Sequence, residues 1–247
     1  MLQPRERHRA DLARTLRLAK AFRLERTRPE YFYELLARDT VAQLARYADL
    51  SGATALDVGA GPGFFTRELR RAGARCAGVD LDLAEITAHG PPPEGFVVGS
   101  ALHLPFGTGV VDVCFSSNVL EHVPSPWRMA EEMVRVTRPG GLIYLAFTNW
   151  LSPWGGHETS PWHYLGGERA ARRYERRHGR PPKNRYGRTL HKVSVADALA
   201  WARRNPKVRV LDALPRYAPS WAKGIVRIPA VREVLTWNLA LVLRKTA

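Results

Sequence analysis

The stretch Leu56-Asp57-Val58-Gly59-Ala60-Gly61-Pro62-Gly63 joins a short apolar run to an acid and three alternate glycines. Glycine lacks a Cβ atom, so the backbone can turn sharply here and a ligand can approach its N–H groups. The following residues, from Phe64 to Leu69, predict a helix whose N-terminus favours negative charge. Phe64 stands where the third glycine of the dinucleotide-binding fingerprint would fall. The stretch therefore predicts a nucleotide-type loop and disfavours a nicotinamide cofactor.

A second apolar run, from Cys76 to Val79, ends in Asp80. An acid at the tip of the strand that follows a glycine-loop helix is where a nucleotide-binding sheet holds a pair of ribose hydroxyls. We therefore expect Asp57 and Asp80 to bracket one ligand site.

From Thr54 onward, short apolar runs alternate with helical patterns. The expected strands cover residues 54–58, 75–79, 95–98, 110–116, 142–147, 208–214 and 237–243. The expected helices cover residues 63–72, 82–88, 126–136 and a segment capped by Ser194 with Asp197 that runs to about Arg204. Such alternation predicts an α/β fold with a parallel sheet and helices on both faces. Strands that are apolar without alternation fit a sheet covered on both sides.

Five motifs, in this order, resemble the class I S-adenosylmethionine-dependent methyltransferases, in particular the type 11 domain group. The motifs are the glycine stretch, Gly78-Val79-Asp80, the segment from Gly99 to Phe106, the segment from Asp112 to His122, and Arg138-Pro139-Gly140-Gly141. The resemblance covers roughly residues 54–147. It implies an enzyme with S-adenosylmethionine as cofactor and a Rossmann-like, seven-stranded, mostly parallel sheet that ends in an antiparallel pair.

The resemblance also implies roles for individual residues. Gly59, Gly61 and Gly63 would pass under the methionine part of the cofactor, and Asp57 would order that loop near the amino group. Asp80 would bond both ribose hydroxyls. The remaining cofactor contacts are expected from Leu81 on the adenine face and from Ser100, Ala101 and Asn118.

Ser100 departs from the family pattern. Members commonly carry an aspartate in this segment that accepts from the adenine amino group, whereas this chain has a serine. A neutral hydrogen bond is roughly half as strong as a charge-assisted one, so we expect modest cofactor affinity.

The first 50 residues predict a helical extension that could act as a lid, ahead of a methyltransferase domain over residues 51–247. Residues 8–24 place Leu12, Leu16, Ala19 and Phe22 on one apolar stripe, whose partner is either the rest of the domain or an anionic membrane surface. The spacing Thr27-Arg28-Pro29-Glu30 predicts a capping box at the start of a second helix that runs to about Tyr47.

Residues 149–190 follow the fifth strand and have no clear period, so they predict an irregular, aromatic-rich insertion on the substrate side. Trp154, His163 and Tyr164 are the candidate acceptor contacts there, and self-packing of the aromatics is the alternative. His122 and His157 are the candidate general bases, with His163 and His191 also near the expected mouth. The spacing from His157-Glu158 to His163 differs from a His-Glu-x-x-His helix motif, so no metal site is expected.

The composition of the chain limits the classes of partner and acceptor that we expect. Lys and Arg number 38 against 23 Asp and Glu, which gives a formal net charge of +15 and suits a polyanion, a membrane surface or an acidic substrate. The fourth strand lacks the Asn-Pro-Pro-Tyr ending of many amino-methylating nucleic-acid enzymes, which disfavours nucleic acid. The expected acceptor is a small molecule, a sugar or a lipid-linked molecule, methylated at oxygen. An RNA methyltransferase and a non-catalytic S-adenosylmethionine-binding module are the alternatives.

The cysteines and the polar N-terminal residues indicate the cellular compartment of the protein. Cys76 and Cys114 lie in apolar runs, so they are expected as buried, reduced thiols. Residues 1–10 are polar, and no apolar stretch approaches the ~20 residues that span a bilayer. We therefore expect a cytoplasmic protein, whose oligomeric state the sequence leaves open.

Overall fold

The computed structural model describes residues 8–25, 27–88 and 90–246. Within them, seven strands form one sheet in the order β3-β2-β1-β4-β5-β7-β6. The strands are β1 (Thr54–Val58), β2 (Arg75–Asp80), β3 (Phe96–Val98), β4 (Val111–Ser117), β5 (Thr137–Thr148), β6 (Val208–Pro215) and β7 (Asn238–Lys245). Strands β1 to β5 pair in parallel, and β7 runs antiparallel to both β5 and β6. This confirms the predicted seven-stranded, mostly parallel sheet.

Helices cover both faces of the sheet. They are α1 (Leu12–Phe22), α2 (Pro29–Leu44), α3 (Phe64–Arg71), α4 (Leu83–Ile86), α5 (Pro126–Val136), α6 (Gly167–His178), α7 (Val195–Arg204) and α8 (Val231–Leu235). Neighbouring residues of β4 belong to different apolar cores: Cys114 lies in the core that includes Met129 of α5, and Phe115 lies in the core that includes Leu36 of α2. Since successive side chains of a strand point to opposite faces, each face of the sheet has its own apolar core.

Two helices lie where the sequence shows no period. Helix α6 occupies the segment that we expected to be irregular, and α8 lies in the stretch before β7. Only Gly167, Ala170 and Ala171 of α6 are buried, and no residue of α8 is. Because these helices bury little or no apolar surface, a helical period of apolar residues does not develop in their sequences.

Strand β5 begins earlier than predicted. It starts at Thr137 and includes Arg138-Pro139-Gly140-Gly141, which we expected to be a turn before the strand. Val111 of β4 pairs with Thr137, and the pairing shifts register before Val113 meets Leu142. The predicted turn is therefore an irregularity inside the β4–β5 pair.

Helix α1 packs on the domain mainly through the side opposite its apolar stripe. Leu12 and Leu16 are 55% and 52% exposed, whereas Arg14 is 2% exposed and Leu18 is buried. Phe22 alone of the expected stripe turns inward, against Phe32 of α2 with 5.5 Å between ring centroids. The expectation that the apolar stripe covers the domain is therefore wrong for Leu12 and Leu16, because polar contacts of Arg14 orient the helix.

The predicted N-terminal cap is present at helix α7 and absent at helix α2. The Ser194 hydroxyl accepts a hydrogen bond from the Asp197 N–H at 3.0 Å, as predicted. Helix α2 does begin at Pro29, but its N-cap is Arg28 without a side-chain cap, so the capping box is wrong. The Thr27 hydroxyl instead donates to the Leu24 carbonyl at 3.3 Å.

Two further expectations concern thiols and membranes. Cys76 and Cys114 are free and buried, as predicted. Among the described residues, no helix combines the length and apolar character needed to cross a bilayer. Helices α1 and α2 contribute to the same core as α3 and β4, and the division of the chain at residue 50 stays a prediction.

Candidate active site

The glycine loop connects β1 to α3 at the carboxyl end of the sheet. Gly59, Gly61 and Gly63 have φ values of +73°, +48° and +81°, a region that favours glycine. A Cβ atom on Gly59 would lie 2.2 Å from Cγ2 of Val119, and one on Gly63 would lie 2.7 Å from Cζ of Phe96. A Cβ atom on Gly61 would meet nothing within 4 Å. Glycine is therefore required at positions 59 and 63 because other side chains of the protein pack against them. Gly61 instead borders open space, where a ligand can approach the backbone.

Asp80 lies directly beside that open space. One carboxylate oxygen accepts from the Gly61 N–H at 2.8 Å, and the other accepts from the Asp82 N–H at 3.1 Å. Leu81, the next residue, is 71% exposed. The end of β2 thus presents a carboxylate and an accessible apolar side chain together, which suits the polar and flat parts of a nucleoside.

Asp57 has a different position from Asp80. Its carboxylate is buried and accepts from the Thr66 hydroxyl of α3 at 2.7 Å. The pKa of Asp57 is raised to about 7, mainly by burial; the hydrogen bonds from Thr66 act against this rise, and the nearby Asp80 carboxylate adds to it. Asp57 therefore fixes the loop from below by tying β1 to α3.

The segment after β3 borders the same site. The Gly99 N–H donates to the Asp80 carbonyl at 2.9 Å, which brings the following Ser100 and Ala101 next to the end of β2. The Ser100 hydroxyl accepts from the Leu102 N–H at 3.2 Å. Both Ser100 and Ala101 remain partly exposed.

Asn118 follows β4 and is held from two sides. Its N–H donates to the Ala146 carbonyl at 2.8 Å, and its side-chain oxygen accepts from the Asn238 amide at 2.7 Å. Its φ of +58° places it in the left-handed region, which asparagine tolerates better than most residues. Val119, the next residue, contacts the glycine loop, so the end of β4 and the loop form one surface.

Three side chains come together just beyond Val119, and we call them the Glu121–His122–His157 cluster. One potential donor atom from each lies within 4.8 Å of those of the other two. The rings of His122 and His157 are 5.0 Å apart between centroids and nearly perpendicular. His157 comes from the insertion after β5, whereas Glu121 and His122 follow β4.

The partners of the cluster leave specific atoms available. Oε1 of Glu121 accepts from the Thr148 N–H at 2.8 Å, and Nδ1 of His122 is 2.7 Å from the Thr189 carbonyl oxygen. Oε2 of Glu121 and Nδ1 of His157 are buried, and no partner for either exists in the described part of the chain. Burial, followed by the neighbouring His122, lowers the pKa of His157.

The three candidate acceptor contacts on the insertion differ in their exposure. His163 is 1% exposed, with Nε2 3.2 Å from the Ser152 carbonyl oxygen, so it packs inside the protein, and its contact with the acceptor stays a prediction. Trp154 and Tyr164 are both exposed. The Trp154 ring contacts Phe22 of α1 and Trp237, with centroid distances of 5.3 and 6.4 Å.

Several residues of the site were not predicted from the sequence. Val119, Thr66 and Asn238 act through packing or hydrogen bonds to residues far away in the sequence. Glu121 was visible only as part of the motif before His122. Its nearness to His157 depends on how the insertion folds back over β4, which no local pattern signals.

Comparisons with known proteins agree with this geometry. The family model described as "Methyltransferase domain" matches residues 56–145. A methyltransferase of Mycolicibacterium gilvum is 51% identical over 248 residues, which cover 96% of this chain and 96% of the relative. A methyltransferase of Mycobacteroides abscessus is 51% identical over 252 residues, covering 96% of this chain and 95% of the relative.

A solved structure supports the fold. The S-adenosylmethionine-dependent methyltransferase of Mesorhizobium loti superposes with a TM-score of 0.57 at 20% identity, over 85% of this chain and 98% of that one. The fold and site define an S-adenosylmethionine-dependent methyltransferase. The chain belongs to the methyltransferase family of its mycobacterial relatives. The methyltransferase domain and its fold imply S-adenosylmethionine as the cofactor. The space over Gly61 and the adjoining Asp80 carboxylate fit that cofactor.

Proposed function

We propose that this enzyme transfers the methyl group of S-adenosylmethionine to a hydroxyl oxygen of a small-molecule, sugar or lipid-linked acceptor. The observation that carries the proposal is the position of the Glu121–His122–His157 cluster. The cluster follows Val119, which contacts Gly59 of the glycine loop, so polar side chains border the place where the reactive end of the cofactor is expected.

On the cofactor side, we assign roles to the residues around the loop. Asp80 would hold the ribose hydroxyls, and Gly61 would lie under the methionine part. Leu81 would cover the adenine, with Ser100, Ala101 and Asn118 completing the pocket. Gly59 and Gly63 support it by letting Val119 and Phe96 pack closely. Asp57 acts as a positioning residue through Thr66.

The chemistry requires alignment and removal of one proton. The cofactor supplies an electrophilic methyl group on a sulfonium sulfur. The acceptor oxygen forms a bond to that methyl carbon while the carbon–sulfur bond breaks, and the hydroxyl proton leaves. Since methylation of a neutral hydroxyl needs help with that proton, His122 and His157 are the side chains that we propose to handle it. The protein otherwise contributes orientation.

We infer that aromatic side chains form the mouth of the site. Trp154 and Trp237 contact each other at the insertion, and Trp154 also contacts Phe22 of α1. Tyr33 of α2 stacks on Phe64 at the start of α3, with 5.8 Å between centroids. These contacts support a lid role for α1 and α2 and favour an acceptor with apolar or ring-shaped parts.

Contact with an anionic membrane surface is supported by the outer face of α1. Leu12 and Leu16 are exposed there, with exposed Arg17 and Lys20 on the same helix and exposed Arg23 directly after it. The Ser220 N–H donates to the Ala10 carbonyl at 2.6 Å, so the start of α1 lies beside Trp221, which is 78% exposed. Exposed apolar and basic side chains together are typical of peripheral membrane helices.

Vesicle flotation tests the membrane contact. We expect the protein to float with anionic vesicles and not with neutral ones, and the double variant Leu12→Gln/Leu16→Gln to lose flotation. Val110→Gln, which also removes a half-exposed apolar side chain, is the matched control. Equal flotation of the double variant and the control would contradict the proposal.

An RNA acceptor is the second candidate because of α6. This helix presents the exposed side chains of Arg169, Arg172, Arg173, Arg176 and Arg177. The guanidinium of Arg173 lies 3.9 Å from the centre of the Trp162 ring. Arginines beside an exposed aromatic ring are typical of single-stranded nucleic-acid binding, which weakens steeply with salt.

Labelling distinguishes the acceptor classes. S-adenosylmethionine with an isotopically labelled methyl group is incubated with the enzyme and, separately, with a polar metabolite pool, a lipid extract or total RNA. We expect label in the metabolite or lipid pool as a base-stable methyl ether, and none with Asp80→Ala. Label confined to RNA, to nitrogen or to base-labile esters would contradict the proposal.

We also propose a cytoplasmic location for the enzyme, which its buried free thiols support.

A further inference from the structure

We propose that the Glu121–His122–His157 cluster binds a divalent metal ion of the zinc class. Two imidazoles and one carboxylate are the protein ligands of many catalytic zinc sites, which keep a further position for water or substrate. The three residues come from two separate segments, and one donor atom from each lies within 4.8 Å of the others.

The buried carboxylate is the strongest evidence for a ligand. Glu121 is 1% exposed, and its Oε2 atom has no partner in the described part of the chain. Because a buried carboxylate oxygen without a partner is unfavourable, native proteins pair such atoms with a donor or a cation. Nδ1 of His157 is also buried and unpartnered there, and one of the two ring nitrogens of His157 belongs to the cluster.

The outer contacts fix which atoms would bind. A carbonyl oxygen can only accept, so Nδ1 of His122 donates to the Thr189 carbonyl and leaves Nε2 with its lone pair. In the same way, the Thr148 N–H occupies Oε1 of Glu121 and leaves Oε2. Metal-binding histidines and carboxylates are commonly oriented by such second contacts.

The cluster would tighten slightly around the ion. Ligand atoms about 2.0 Å from a tetrahedral zinc ion lie about 3.3 Å from each other, whereas the three donor atoms here lie within 4.8 Å of one another. Rotation of the His157 side chain can supply this movement, since it lies in the insertion and its ring already contacts His122 edge to face.

The role of the ion rests on the proposed function. A cation at the cluster would lower the pKa of an acceptor hydroxyl bound beside it, so that the proton leaves to solvent as the oxygen–methyl bond forms and the carbon–sulfur bond breaks. With the ion bound, the histidines would act as its ligands, and the ion would replace them in the proton-handling role that the proposed function gives them. This departs from the expectation of no metal, which considered His157 with Glu158 and His163 and not Glu121.

Cobalt binding tests the site without any acceptor. Tag-free, metal-stripped protein is titrated with Co²⁺ and followed by visible absorption, and Zn²⁺ is added to displace it. We expect one Co²⁺ per chain, displaced by Zn²⁺, and binding weaker by at least about tenfold in Glu121→Gln and in His157→Ala. His178→Ala, which removes an exposed histidine of α6, should bind as the wild type does. Circular dichroism confirms that each variant is folded.

Two results would overturn the inference: no Co²⁺ band in the wild type, or bands of equal affinity in the wild type and in folded His157→Ala. Methyl transfer to a hydroxyl that survives metal removal would overturn the catalytic role of the ion while leaving the proposed function intact. Conversely, metal binding together with label confined to RNA would contradict the proposed function and leave the site intact.

Discussion

Arg14 of α1 and Asp39 of α2 form a buried ion pair, with Nε of Arg14 2.7 Å from the carboxylate. Arg14 also donates to the Arg216 carbonyl at 2.9 Å, which links both helices to the segment after β6. Burial acts to raise the pKa of Asp39, but hydrogen bonds from His8 and Arg14 outweigh it and lower this pKa to about 2. The orientation of α1 thus depends on a buried charged residue that does not belong to the apolar stripe of the helix.

The first prediction concerns that ion pair. Arg14→Ala should lower the free energy of unfolding by about 3–5 kcal/mol, because it leaves the buried Asp39 carboxylate without its main partner. Arg17→Ala, on the exposed face of α1, should change stability by less than about 0.5 kcal/mol. Urea unfolding of both variants measures the difference. Equal, small effects would show that α1 is held in another way.

The second prediction concerns the pH dependence of stability. The pKa of Asp57 is raised to about 7, so between about pH 4 and pH 7 the folded protein keeps a proton that the unfolded chain has lost. This contribution is fully present below about pH 4 and is lost as the pH rises to about 7. Asp57→Asn should remove that loss, changing the slope of unfolding free energy by up to about 1.4 kcal/mol per pH unit.

Urea unfolding at several pH values in this window, for the wild type and Asp57→Asn, measures the slope. The other titrating groups are common to both proteins and cancel in the difference. Parallel curves would mean that Asp57 is ionised throughout the window.

The third prediction separates the effect of an alanine substitution on cofactor binding from its effect on backbone stability. Gly61 and Gly52 both have positive φ values, and a Cβ atom on either would meet nothing within 4 Å. Alanine at either position should therefore cost a similar amount of stability, about 1–2 kcal/mol. Gly61→Ala should also weaken S-adenosylmethionine binding by at least about tenfold, since the added methyl group takes up space beside the ligand. Gly52→Ala should leave the affinity unchanged.

Calorimetric titration and thermal unfolding of the two variants check this prediction. Equal cofactor affinities in Gly61→Ala and Gly52→Ala would mean that the ligand does not pass over Gly61.

The fourth prediction concerns Ser100. An aspartate here can still accept from the Leu102 N–H and can accept a stronger bond from the adenine amino group. Ser100→Asp should therefore keep or improve cofactor affinity, by up to about tenfold. Ser100→Ala is the matched control and should bind somewhat more weakly. A large loss of affinity in Ser100→Asp would refute the placement of Ser100 beside the adenine.

Local sequence patterns predicted most of the sheet and the glycine loop. Strand β1 and the start of α3 follow from an apolar run and three glycines, because both signals lie within a few adjacent residues. The face of α1 was predicted wrongly because Arg14 is buried through partners on α2 and beyond β6. The neighbours of Glu121 and the burial of His163 could not be predicted either, since both depend on how the insertion after β5 packs.

Calorimetric titration with S-adenosylhomocysteine, for the wild type and Asp80→Ala, tests the central claim most directly. The account predicts a single exothermic site in the wild type and affinity lower by at least about tenfold in a folded Asp80→Ala, because the proposed role of Asp80 is to accept charge-assisted hydrogen bonds from the ribose hydroxyls. A wild type that releases no heat, or two proteins that bind equally well, would contradict it.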